Sequence, residues 1–486
     1  MKRSTIRQFV EWVVIIMIVV YMGTARAEEN TAVQSVVTGT QGKSSNEPQP
    51  GTILAKDIHS EQPNTAGGST GESPNSGESA SSEKMPWLIP HLDYRGDLLS
   101  RPALIGDCGG LRQQLMDKGL RFDINLTQTL QDNVAGGKEE GLTYQEGFDF
   151  GFRLDTGHAG LWPGGLLVAR GEARYGKSNN LKTGALMPVN TDSLFPVPED
   201  DVVALSELYY MQFLTPWVGI LAGKLSFREK NVFAHDETAQ FMNTAFNFDP
   251  VLGTTIPLST LGAGVVLLPA EWFNITTLVV DSEGRADSSG FDTVFNRGTS
   301  LAQIAEFAIK PFGLPGHQRV GWTWSDRQRI QFQQDFRVVI GTILTGNTSL
   351  LSREDKDGSF FYDFDQYVYL APGTKDRGLG VFGRFGLGDE DVNPIGSFYS
   401  LGIGGKGLIP GRETDTFGAG FYYAGLSDKL PRIIKRFTQN EQGVEVYYNI
   451  SITPWMHITP DIQIIDPARE SVATTVVAGI RMKIDF

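Results

Sequence analysis

Cysteine is almost missing. Cys108 stands alone among 486 residues, which excludes an internal disulfide framework even for an exported chain. Basic residues are in deficit: 42 Lys and Arg face 56 Asp and Glu, a formal charge of −14, which argues against nucleic acid as a partner. Beyond the first 25 or so residues no stretch is long and apolar enough for a transmembrane helix. A mature chain that crosses a membrane would therefore do so as a closed barrel, because only helices and barrels satisfy their own backbone hydrogen bonds in lipid. Histidine is scarce as well. His59, His91, His158, His235, His317 and His457 fall in no catalytic motif and show no His-x3-His spacing. With no glycine-rich phosphate loop either, no metal or cofactor is expected, and the chain does not read as an enzyme.

The amino-terminal stretch carries a targeting pattern. Lys2, Arg3 and Arg7 lead into an uncharged run from Trp12 to Met22, and Ala25-Arg26-Ala27 has the small-x-small form of a signal-peptidase site. This predicts a signal peptide over 1–27, cleaved before Glu28. Residues 28–85 are rich in Ser, Thr, Gly, Asn, Pro and Glu, with eight acidic and three basic side chains. Such a segment cannot bury enough apolar surface to offset chain entropy, and a disordered tether is expected.

The composition changes at Pro86. Over 86–120 a short helical segment is expected: Asp107 can cap it, Leu111 and Leu115 share one side, and Gly119 ends it. From 121 to 486 the dominant signal is alternation with period two. Phe122, Ile124, Leu126 and Leu130 alternate with Asp123, Asn125, Thr127 and Thr129, and Phe148, Phe150, Phe152 and Leu154 with Asp149, Gly151, Arg153 and Asp155. Leu167, Ala169, Ala173 and Tyr175 oppose Arg170, Glu172 and Arg174, while Leu221, Leu225 and Phe227 oppose Lys224, Ser226 and Arg228. Later, Val320, Trp322 and Trp324 oppose Arg319 and Thr323, and Val446, Tyr448, Ile450 and Ile452 oppose Glu445, Asn449 and Ser451.

Alternation by itself fits a soluble sandwich with its charged face outward or a barrel with its charged face around a wet lumen. Export without disulfides, an unbroken strand series, and aromatics on the apolar faces favour the barrel. At about 22 residues per strand and turn, roughly 360 residues make about 16 strands, a size that leaves an aqueous channel. The last strand, Ala473 to Phe486, sets Val476, Ala478, Ile480, Met482, Ile484 and Phe486 against Thr475, Gly479, Arg481, Lys483 and Asp485. It resembles the C-terminal signal that outer-membrane barrels present to their assembly machinery. The fold class is thus an all-β transmembrane antiparallel barrel in the cell outer membrane.

Two blocks resemble the carbohydrate-selective porins of the OprB family. One is Gly106-Asp107-Cys108-Gly109-Gly110-Leu111-Arg112, with cysteine where that family usually carries tryptophan. The other is Gly404-Gly405-Lys406-Gly407-Leu408-Ile409-Pro410-Gly411-Arg412, followed by Asp415, Gly418 and Gly420. Glu445 to Asn449, Thr453-Pro454-Trp455 and Thr459-Pro460-Asp461-x-Gln463 continue the match. The resemblance implies a barrel that passes sugars passively across the outer membrane. Sugars are bound by hydroxyls, for which arginine donors and carboxylate acceptors suit a narrowed wall. The candidate wall is Arg170, Glu172 and Arg174, joined by Asp149 and Arg153, with Lys224 and Arg228 as a second pair. Arg412 and Asp415 complete the candidates, although their glycine-rich setting also suits a turn. The rival functions are a general or anion-preferring diffusion pore, and a surface interaction protein using the tether or long loops.

Overall fold

The computed structural model describes residues 87–486 apart from 197–200, 229–230, 336, 339–341, 343–344 and 346–347. The signal-peptide and tether expectations for 1–85 lie outside the described residues. The strands in chain order are β1 (Leu120–Gly137), β2 (Gly141–Asp155), β3 (Gly165–Gly176), β4 (Val202–Thr215), β5 (Val218–Ser226), β6 (Ser259–Ala270), β7 (Phe273–Asp281), β8 (Thr299–Ile309) and β9 (Gly316–Ser325). A small ribbon, β10 (Arg329–Ile330) with β11 (Arg353–Glu354), sits in the following loop. Then come β12 (Asp357–Leu370), β13 (Gly378–Gly388), β14 (Ile395–Lys406), β15 (Thr416–Leu426), β16 (Glu441–Thr453), β17 (Met456–Asp466) and β18 (Ala473–Asp485).

All but the ribbon join one closed antiparallel barrel of 16 strands, each paired with its sequence neighbours and sealed by β1 against β18. Closure leaves no unpaired edge, which a sheet surrounded by lipid requires. One rim carries short turns, such as 216–217, 271–272 and 454–455; the other carries long loops, including 177–201, 227–258 and 282–298. Outer-membrane barrels place short turns in the periplasm and long loops outside. The periplasmic turns expose Trp162, Trp217, Trp272 and Phe312, the aromatics of an interfacial girdle.

Along most strands the faces are those expected. The inward row of β1 (Arg121, Asp123, Asn125, Thr127, Thr129, Gln131) is buried, while Leu130 is exposed on the opposite face. Register carries the same face around the wall: Asn125 lies opposite Asp149 and Asp485, and Thr129 opposite Arg481. A charged side chain at mid-bilayer on the lipid face costs roughly 2–4 kcal/mol, so the charges turn inward.

From β3 to β8 the inner wall departs from that rule. Leu166, Val168, Met211, Leu221, Leu225, Val266, Leu278 and Val280 are buried together with Leu88, Ile89 and Ile256. Here the chain has apolar residues on both faces, as in Val265-Val266-Leu267-Leu268. β5 is therefore the reverse of the expectation: Leu221 and Leu225 turn inward and Lys224 outward, opposite Leu208 and Leu261. The helix also differs in detail. It spans Leu111–Met116 and buries Arg112 and Met116 rather than Leu111 and Leu115. Asp107 does accept the Gln113 N–H at 2.8 Å, and Gly119 follows with φ of 73°.

Glycines on β13 to β15 have a specific use. The aromatic side chains of loop 227–258 lie against the inner wall where that wall has no side chains. Phe233 rests on Gly380 and Gly404, Phe241 on Gly418, and Phe246 on Gly420. A Cβ on Gly420 would lie 2.4 Å from Phe246 Cε1, and one on Gly418 would lie 2.7 Å from Phe241 Cζ. Gly420→Val should therefore unseat the loop while sparing the barrel. The expected outcome is unchanged heat-resistant barrel mobility on gels with a raised and noisier single-channel conductance.

Candidate functional site: a charged constriction inside the barrel

Two extracellular loops fold into the lumen and meet. Thr191 of loop 177–201 donates its N–H to the Met242 carbonyl at 2.8 Å, and Thr244 of loop 227–258 donates to the Pro188 carbonyl at 2.9 Å. The wall holds both loops by charged and amide side chains. Glu441 accepts the N–H groups of Leu186 (2.5 Å) and Met187 (2.7 Å). Glu445 accepts those of Met242 (2.5 Å) and Asn243 (2.9 Å). Arg481 donates to the carbonyls of Glu237 and Gln240, both at 2.7 Å. Arg384 donates to the carbonyls of Phe246 and Ala234. Charge-assisted bonds of this kind are stronger than neutral ones and fix orientation.

Where the loops face β2 and β3, the arginines and carboxylates gather. Arg174 lies 2.8 Å from Asp149, 3.6 Å from Glu172 and 2.7 Å from Asp192. Arg170 lies 3.3 Å from Glu172, 3.7 Å from Asp149 and 3.9 Å from Glu237. Arg228, just past β5, turns inward to pair with Glu172 and Glu237, and its guanidinium stands 4.4 Å over the Phe195 ring. Burial pushes the Asp192 carboxyl upward, against the pull of Arg174, in a loop outside the strands. Three guanidinium groups thus face these four carboxylates and a fifth, the buried Glu207 of β4 opposite Arg170, a formal charge of −2.

The structure therefore brings together Asp149, Arg170, Glu172, Arg174 and Arg228. Arg153 also faces inward, but lower, 4.0 Å from Asp123 and beside the Arg121–Asp123 pair. Lys224 is not in the lumen. It lies on the outward face, because the apolar side of β5 faces the packed inner wall. Arg412 and Asp415 are also away from the lumen, in the periplasmic turn 407–415. There Asp415 accepts two bonds from Arg412, both 2.7 Å, one from Tyr448 Oη at 2.8 Å and one from the Ser451 N–H at 3.0 Å. That geometry is a turn staple. Sequence reasoning did not select Asp192, Phe195 or Glu237. They sit in irregular loops, where no periodicity marks a face.

A closed 16-stranded antiparallel barrel with an aromatic girdle at its periplasmic rim, charges on much of its inner face and loops folded into its lumen is an outer-membrane porin. The chain belongs to the family of carbohydrate-selective porins, the OprB family, whose model matches residues 139–486. It shares 23% identity over 424 residues with Porin B of Pseudomonas aeruginosa, covering 79% of this chain and 91% of that one. Its barrel is similar to that of Pseudomonas putida OprB. The high-pH structure of that protein gives a TM-score of 0.72 at 20% identity, over 80% of this chain and 100% of that one. The low-pH structure gives 0.50 at 17% identity, over 80% and 99%. The protein is thus a sugar-selective porin of the outer membrane.

Proposed function

We propose that sugars cross at the Arg170–Arg174–Arg228 cluster, and that this cluster selects neutral polyhydroxylated solutes over ions. The carrying observation is the pairing: each of the three guanidinium groups lies within 4.0 Å of a carboxylate. Paired in this way, the arginines still offer donors and the carboxylates acceptors, so a sugar can exchange its water for wall hydrogen bonds. Their fields largely cancel, which disfavours the anion-preferring reading. Passage is passive diffusion, with no bond made or broken, so the chain is not an enzyme.

The remaining features complete this reading on the strength of the sequence pattern. Residues 1–27 act as the export signal and 28–85 as a solvated tether. The outward strand faces meet outer-membrane lipid, and the Phe486 strand engages the barrel-assembly machinery.

Planar-bilayer recording of refolded protein tests the proposal. Glucose or a disaccharide should reduce ionic current in a concentration-dependent way, and the reversal potential in a KCl gradient should stay near zero or shift weakly towards cations. A strong anion preference without sugar block would favour the anion pore. Deleting 28–85 should leave sugar block intact; loss of uptake in cells together with intact block would point to the surface-interaction role.

A further inference from the structure

Loop 282–298, between β7 and β8, turns back over the outside of the barrel. Lys224, on the outward face of β5, donates from Nζ to the carbonyls of Ala286 (2.8 Å) and Ser288 (2.5 Å). Leu261, its outward partner on β6, retains 7% exposure and lies beside Gly290. Just below, the same face is bare: Ala222, Ala263, Ile220 and Val265 are exposed. The loop thus covers the outer wall one row above residues that meet lipid.

The loop is also closed on itself. Asp281 accepts the N–H groups of Glu283 (3.0 Å) and Phe295 (3.1 Å), and Glu283 pairs with Arg297 at 3.1 Å and with Arg327. A loop so tied holds its outer surface in place, and that surface presents Phe291 at 72% and Phe295 at 44% exposure. Aromatic rings concentrate where a membrane's acyl chains give way to headgroups.

We infer that residues 282–298 form a membrane-seated flap that places Phe291 and Phe295 in the outer leaflet, with lipid as its partner. The inference rests on the barrel spanning a membrane and is independent of where the sugar passes. Bound this way, the loop anchors the β5–β8 side of the rim to the bilayer and keeps Lys224 from lipid.

Spin labelling in proteoliposomes tests it. With Cys108→Ser removing the native thiol, a label at Phe291→Cys is compared with Ile462→Cys on the bare outer wall and Asp428→Cys in loop 427–440. Collision with oxygen relative to a water-soluble nickel complex should be several-fold higher at 291 than at 428 and should match 462. A value matching 428 overturns the inference. So does protection from both reagents with spin–spin broadening, which would make a second copy the partner. Phe295→Cys, read in the same way, keeps the test decisive if the first variant refolds poorly. Sugar block recorded on the same labelled protein separates failure of the flap from failure of the permeation reading.

Discussion

Replacing Arg170 and Arg174 together with alanine should make the pore cation-selective and abolish most of its sugar block. The two substitutions take the charge of the cluster from −2 to −4, because Asp149, Glu172, Asp192, Glu207 and Glu237 remain with only Arg228 among them. Each uncompensated charge is worth about 1 kcal/mol on an ion 4 Å away even at the dielectric of water, a roughly fivefold change in relative permeability. The barrel should still form, since no residue in the cluster contributes a backbone hydrogen bond to the β1–β18 seal. The measurements are reversal potential and glucose block in planar bilayers. Unchanged selectivity and unchanged block would remove the cluster from the solute path. Arg412→Ala is the natural control: its turn lies at the periplasmic rim, so permeation should not change.

Glu445→Ala should open the constriction by releasing the loop rather than by altering its charge. The Glu445 carboxylate accepts two adjacent N–H groups, those of Met242 and Asn243. Removing it leaves both donors without that acceptor, at a cost of about 1–3 kcal/mol each. The stretch around 242–243 would come away from β16 and keep only its tie to β17, where Asn243 bonds Gln463 at 3.0 Å. Single-channel conductance should rise, and sugar block should weaken even though Arg170, Arg174 and Arg228 are intact. Glu445→Gln, which keeps the shape and one acceptor oxygen, should fall between the two. A conductance equal to that of the native protein in Glu445→Ala would show that the loop is held well enough by its remaining bonds, among them those to Arg481, Arg384 and Gln463.

These two variants separate the wall's two tasks. Some of its charges pair with one another beside the lumen, and others, such as Glu441, Glu445, Arg384 and Arg481, hold loop backbone in place. Sequence alternation marks both kinds as inward and polar and cannot tell them apart. The difference lies in the partners, another side chain or a main-chain group of a loop, and Arg174 has both: it pairs with Asp149 and donates to the Asp192 carbonyl at 2.8 Å.

What the amino-acid sequence determined by itself was the barrel and its handling of charge. A period of two assigns Phe148 and Phe152 to one side and Asp149 and Arg153 to the other, and lipid on the outside makes that assignment costly to reverse. It also placed Arg170, Glu172 and Arg174 on one wall, because their spacing on β3 is local. Tertiary structure decided the rest. Where both faces are apolar, as at Leu278-Val279-Val280, the period is silent. Only closure of the ring set Lys224 outward and Leu221 inward. Contacts across the lumen were equally hidden: Met242 and Glu445 are 203 residues apart, and nothing in the spacing of either announces the other. Local periodicity is written residue by residue, whereas the path of a loop inside a barrel is settled by what it can bond to once the wall around it exists.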